Sequence, residues 1–275
     1  REQLRQRVRL AAAITASPQE FFEQLHTTGV LVRLRTSDQL AGVVTGYAVA
    51  LPPAGGVPVF FSGGRLGAEL SLPRLRRRWG TPLPQPGPGR PGGRVRAAHR
   101  AATAVRASTE RVRRSSVAPA LVHAEIQAEI QAAADLLHAA GHALEGWAGG
   151  PVTAAAQRFD RAARDQYRRV AAATARSQQL RALGRRLLLA HGVGADRGTR
   201  GVLRLVAALA RFSDTLAWLR QVQLRPHQAQ AAREATRLLS AEVTGRRSRV
   251  GAPRATPPPT AVTRLGPARQ TPTSM

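Results

Sequence analysis

Lysine and cysteine are both missing from these 275 residues. Without cysteine there can be no disulfide scaffold, Cys-ligated zinc, iron–sulfur cluster or thiol nucleophile. Acids are scarce: 16 Asp and Glu stand against 42 basic residues, all of them arginine, for a formal charge of +26 and a pI near 12.0. Aromatics make up 4%. No apolar run approaches the ~18 residues that a membrane span needs, and no signal-like segment opens the chain. The opening Arg1 fits a piece of something longer. The expectation is a soluble, cytoplasmic protein that faces a polyanion.

Arginine in place of lysine, beside so much alanine, is what GC-rich codon usage produces. Codon usage does not account for a surplus of 26 positive charges. Such a surplus repels itself in a compact monomer and is best tolerated beside a polyanion. Nucleic acid is the leading partner and an anionic membrane surface the second.

Composition divides the chain into 1–80, a Pro/Gly linker over 81–93 (TPLPQPGPGRPGG), an Ala/Leu/Arg-rich stretch over 94–245, and a tail over 246–275. The tail holds Pro, Thr and Arg with no acids and reads as disordered and basic. Leu4, Val8 and Ala11 or Ala12 recur at helical spacing in an Arg-rich first helix. Ser17-Pro18-Gln19-Glu20 is a helix start, with Phe21, Phe22 and Leu25 as its buried face and Gly29 as its stop. Val30–Arg35 alternates apolar and basic residues like an edge strand. Val43–Leu51 and Val57–Phe61 are two further strands, and a helix capped by Ser71 follows through Leu72, Leu75 and Trp79. The order is α-α-β-β-β-α, with Ser62-Gly63-Gly64 as a turn.

In the second half, Ile126, Ile130, Ala133, Leu137, Ala140, Leu144 and Trp147 step by threes and fours in a heptad-like seam. Leu205, Leu209, Phe212, Leu216 and Leu219 repeat the stepping. Further helices fall around Val152–Val170 and Ser177–His191. No arginine occurs from Ser115 to Gln157, where Glu125, Glu129, Asp135 and Glu145 fall, so this acidic helix should pack among basic ones. The fold class is α+β: a small α/β unit with a three-stranded antiparallel sheet, then a mainly helical bundle and the disordered tail.

Arg74, Arg76, Arg77 and Arg78 beside Trp79 form the best nucleic-acid signal: guanidinium forks fit phosphates, and an exposed indole can stack on a base. Arg33, Arg35 and Arg65 would extend that patch. The bland alternative has Leu72, Leu75 and Trp79 anchoring the helix while the arginines face water. Asp135, His138, His142 and Glu145 share one flank of a helix, a spacing that can hold zinc, but all the ligands come from one helix. They read as a surface helix edge, with no metal and no cofactor. Gly192, Gly194 and Gly198 read as a helix–helix connector, not a phosphate loop, and no catalytic constellation is present.

One resemblance carries further. The runs Phe21-Phe22-Glu23-Gln24-Leu25, Gly29-Val30-Leu31-Val32-Arg33, Val44-Thr45-Gly46-Tyr47-Ala48-Val49-Ala50-Leu51-Pro52, Gly63-Gly64-Arg65-Leu66 and Leu70-Ser71-Leu72-Pro73-Arg74-Leu75-Arg76-Arg77-Arg78-Trp79 appear in that order. Together they resemble the segment after the catalytic domain in plasmid relaxase/mobilisation nuclease proteins of high-GC bacteria. The likeness covers roughly the first 80 residues; the helical half is similar only in character. Those relaxases nick DNA with a tyrosine and a metal held by a histidine cluster. Here no His-x-His occurs, and Tyr47 and Tyr167 match no nucleophile position. The resemblance therefore implies a non-enzymatic accessory of plasmid mobilisation and conjugation, binding transfer-origin DNA and scaffolding the relaxosome. Its partners would be DNA, a relaxosome or coupling protein, or a second copy of itself, without membrane insertion. The alternatives are a docking module with no specific DNA role, and the C-terminal fragment of an active relaxase.

Overall fold

A computed structural model describes residues 1–37, 42–79, 93–115, 120–164, 171–189 and 195–251. Among them are ten α-helices and one three-stranded antiparallel sheet, the α+β architecture expected from the sequence. Most of 81–93, the residues 252–275 of the tail, Tyr167, Gly192 and Gly194 lie outside the described residues.

The first unit opens with α1 (Glu2–Ile14) and α2 (Pro18–Thr27). Ser17 caps α2 by accepting from the Glu20 amide at 3.2 Å, and the Glu20 carboxylate reaches back to the Ala16 amide at 2.9 Å. Gly29 closes α2 at φ +69, a left-handed turn that a side chain would strain. Strands β1 (Leu31–Thr36), β2 (Val44–Ala50) and β3 (Phe61–Ser62) follow in sheet order β1-β2-β3, so β1 is an edge. The third strand is shorter than the expected Val57–Phe61. Pro58 has no N–H for a ladder, and Val57 and Val59 stay exposed.

Ser62 caps a short helix, α3 (Gly63–Leu66), where a plain turn was expected. A Cβ at Gly63 would come within 2.4 Å of the Leu70 carbonyl and 2.5 Å of the Tyr47 ring, so the close packing there requires glycine. A 3-10 turn (Ala68–Leu70) leads into α4 (Leu72–Trp79). Phe21, Leu25, Tyr47, Val49, Leu70, Leu72, Leu75 and Trp79 form this unit's core together with Leu4 and Val8 of α1. Each such large side chain contributes roughly 1.5–3 kcal/mol of burial.

The remaining helices are α5 (Gly93–Arg114), α6 (Ala120–Glu145), α7 (Pro151–Ala162), α8 (Ala175–Leu189), α9 (Ala195–Val222) and α10 (Pro226–Gly251). In the bundle α9 lies against α5 and α10, α7 against α10 and α6, and α8 against α6 and α5. The two predicted seams line its core, with Ile126, Ile130, Leu137, Leu205, Leu209, Phe212 and Leu216 all buried. Trp147 departs from its seam: it lies past the end of α6, 45% exposed, against His142. Gly198 belongs to α9 and not to a connector, and α10 continues past residue 245 to Gly251. The first unit is not separate from the bundle. Helix α1 packs on α6 and α8.

Candidate nucleic-acid interface

The exposed arginines of the first unit are set by the amphipathic pattern of α4. Leu72, Leu75 and Trp79 point inward, Arg76 and Arg77 outward, and Arg74 is half-buried. Arg76 is held by its own Nη2, which donates to the Val44 carbonyl at 2.9 Å. On β1, Arg33 and Arg35 stand opposite Ala48 and Gly46, so they share a sheet face with small residues. Arg33 lies 4.0 Å over the Phe60 ring, a cation–π contact. Arg65 is exposed within α3 and its carbonyl accepts from Arg1 Nη2 at 2.6 Å.

Two members of the expected site are elsewhere. Arg78 follows Leu75 by three residues, falls on the inward face of α4 and is 4% exposed. Trp79 is equally buried, its ring 5.6 Å from Phe21 and its Nε1 donating to the Ala12 carbonyl at 3.3 Å. Neither lies on the outer face of α4 with Arg76 and Arg77, where a bound strand would run, and Trp79 cannot stack on a base without opening the core. The Arg74–Trp79 cluster therefore reduces to Arg74, Arg76 and Arg77.

Arg78 instead enters a buried charge knot that joins the two units. Asp135 of α6 accepts from Arg9 Nη1 at 2.8 Å, Arg181 Nε at 2.8 Å, Arg78 Nε at 3.0 Å and Arg78 Nη2. Asp160 of α7 accepts from Arg9 Nε at 3.2 Å and Nη2 at 2.8 Å, and pairs with His138 Nε2 at 2.9 Å. Burial alone would raise the Asp160 carboxyl, but Arg9 and then His138 outweigh it and hold it well below the usual carboxylate range. Burial lowers the His138 imidazole pKa against the opposing pull of the Asp160 carboxylate. Burial also lowers Arg78 and Arg181, with the neighbouring arginines adding to it, and takes Arg181 down to about 9. Three guanidinium groups thus face two carboxylates.

The acidic helix does pack among basic ones, since Arg111 also meets Glu129 at 3.2 Å and Glu125 at 3.2 Å. Its Asp135 and His138 form no surface edge: both are buried in the knot, which their short flank spacing did not reveal. Glu145 caps α7, accepting from the Val152 and Thr153 amides at 2.6 and 2.9 Å. Among the described residues no three His, Asp or Glu side chains gather as metal ligands would. Tyr47 is buried and donates its hydroxyl to the Leu70 carbonyl at 2.6 Å; burial raises its pKa.

The surface that sequence reasoning missed is a groove between α5 and α8, an open volume of about 970 Å³. Arg100 and His99 come from α5, Arg176 and Arg186 from α8, with Thr103, Ser108 and Gln179 between them and no carboxylate in the lining. Gln178 Nε2 lies 3.5 Å from the Trp79 carbonyl and Arg181 Nη1 donates to the Arg78 carbonyl at 3.0 Å. These contacts set the last turn of α4 against the first turns of α8, at the Arg176 end of the groove. On each helix alone, the arginines are indistinguishable from a solvated face; only the pairing of two distant helices makes a channel.

No family model, curated protein or solved structure matches the chain. No helix among the described residues is long and apolar enough to cross a membrane.

Proposed function

We propose that this chain is a nucleic-acid-binding protein that grips phosphates along the groove between α5 and α8. The observation that carries this reading is the lining: arginine from two helices, hydroxyl and amide donors between, and no carboxylate. Guanidinium forks donate bidentately to phosphate oxygens. The exposed Arg76 and Arg77 of α4, with Arg33, Arg35 and Arg65 nearby in the chain's first unit, would extend the contact. No stacking aromatic is needed, and affinity is mostly Coulombic. The resemblance of the first 80 residues to post-catalytic segments of relaxases supports a setting in plasmid mobilisation, with cytoplasmic transfer-origin DNA as ligand and the bundle as a relaxosome scaffold. The role is binding, not nicking.

Fluorescence anisotropy with single- and double-stranded oligonucleotides, across about 50 to 300 mM salt, tests it. Neutralising about six phosphates gives a log–log slope near −5, and replacing Arg100, Arg176 and Arg186 by alanine should take about 3 off that slope. A salt-independent affinity, or a triple variant that binds like the parent, would overturn the assignment.

A further inference from the structure

A second arginine-lined space lies where the two units meet. It is a cavity of about 270 Å³ between α1, the Ala68–Leu70 turn, α4, α6 and the end of α7. Five arginines reach its wall, Arg5, Arg9, Arg74, Arg78 and Arg164, against the carboxylates of Glu69 and Asp160. The acids are engaged: Asp160 by Arg9 and His138, Glu69 by Arg5 at 3.8 Å. Arg78 uses Nε and Nη2 on Asp135, and its Nη1 has no hydrogen-bond partner among the described residues. The side chains of Arg74 and Arg164 line the same wall and form no ion pair among the described residues. Behind the wall, Arg181 shares Asp135 with Arg9 and Arg78, so the positive excess is built into the interior and not confined to flexible surface chains.

A cavity with this surplus fits an anion. Donors from α4 and from the residue just past the end of α7, lining one cavity, suit a tetrahedral group with several acceptor oxygens better than a planar carboxylate, which takes one fork. The volume of about 270 Å³ falls just below the ~300–1,000 Å³ range of drug-sized ligand pockets, too small for a folded polymer and sufficient for one or two phosphoryl groups. We propose that this cavity is a phosphoryl-anion site, filled by pyrophosphate or by the terminal phosphate of a nucleotide or strand, with Arg74, Arg78 and Arg164 as its donors. The site is independent of the groove, and it stands or falls separately from DNA binding along α5 and α8.

Isothermal titration of the full chain with sodium pyrophosphate is the test. It should give a single site per chain, and Arg74→Gln with Arg164→Gln should weaken it by about tenfold per arginine. Arg74 is half-buried and Arg164 exposed, so the double variant should keep the parent melting temperature without ligand. The groove variant R100A/R176A/R186A should keep pyrophosphate affinity while losing DNA affinity. A trinucleotide carrying a 5′-phosphate that binds more tightly than its 5′-hydroxyl counterpart assigns the site to a strand end; equal binding of the two, with pyrophosphate still bound, assigns it to a free anion. No saturable heat at millimolar pyrophosphate, or equal weakening by the two sets of variants, overturns the proposal, the second because it marks diffuse attraction.

Discussion

Asp135→Asn is the most demanding test of the buried knot. The substitution keeps the volume and removes one charge, so the four hydrogen bonds from Arg9, Arg78 and Arg181 lose their ionised acceptor. Three buried guanidiniums would then face Asp160 alone, which already serves Arg9 and His138. Removing one partner of a buried ion pair costs about 3–5 kcal/mol, because the remaining charge is left uncompensated. Against a domain stability of about 5–15 kcal/mol that is a large fraction. At about 2–4 °C per kcal/mol, the melting temperature should fall on the order of 10 °C. Urea and thermal denaturation followed by far-UV circular dichroism measure the free energy and the melting temperature respectively. Glu110→Gln is the control, since its pair with Arg113 at 3.7 Å is exposed on both sides and should change stability by less than about 1 kcal/mol. If Asp135→Asn lost no more than that control, the knot would not be a structural determinant. A compensated variant sharpens the test: apolar residues at positions 9, 78, 135, 160 and 181 together should recover stability that the single change loses.

Trp79→Ala should cost about 3–5 kcal/mol by opening a cavity against Phe21, while the folded fraction binds DNA with parental affinity; lost affinity in a fully folded variant would restore the indole as a contact. Acid should destabilise the protein in two stages. The His138 pKa is depressed in the fold, so the unfolded chain takes up a proton first as pH falls through its ordinary 6.5, and stability drops below that pH. Asp160 is depressed as well, so its contribution is present above its ordinary 3.8 and is lost as pH falls below it. In His138→Gln the first stage should vanish and the second remain, as read from urea midpoints at pH 7, about 5 and about 3. An unchanged profile would place the His138 proton elsewhere.

Periodicity made the bundle legible. The three- and four-residue steps from Ile126 to Leu144 and from Leu205 to Leu219 each define a buried stripe that a helix must hide. The Ser17–Glu20 cap and the Gly29 stop were legible for the same reason: their signals are local. Arg78 was half legible. Its offset of three from Leu75 puts it on the inward face, but a run of arginines after an apolar stripe reads as solvated until a buried acid is found to receive it. That acid is 57 residues away, with Arg9 another 69 residues before Arg78. No spacing rule spans such distances. The groove failed to appear for the same reason, because Arg100 and Arg176 become neighbours only when α5 is laid on α8.

The knot draws its arginines from both sides of the Pro/Gly tract and its carboxylates from one side. Arg9 and Arg78 precede the tract; Asp135, Asp160 and Arg181 come after it. Severed there, the leading fragment would carry two stranded cations and the trailing fragment an unmet anion, each soured by the other's absence. Only by associating would the two fragments satisfy these charges. The interior thereby works as a password between the two halves of the chain, and a foreign half with an apolar residue at position 9 or 78 would be refused entry.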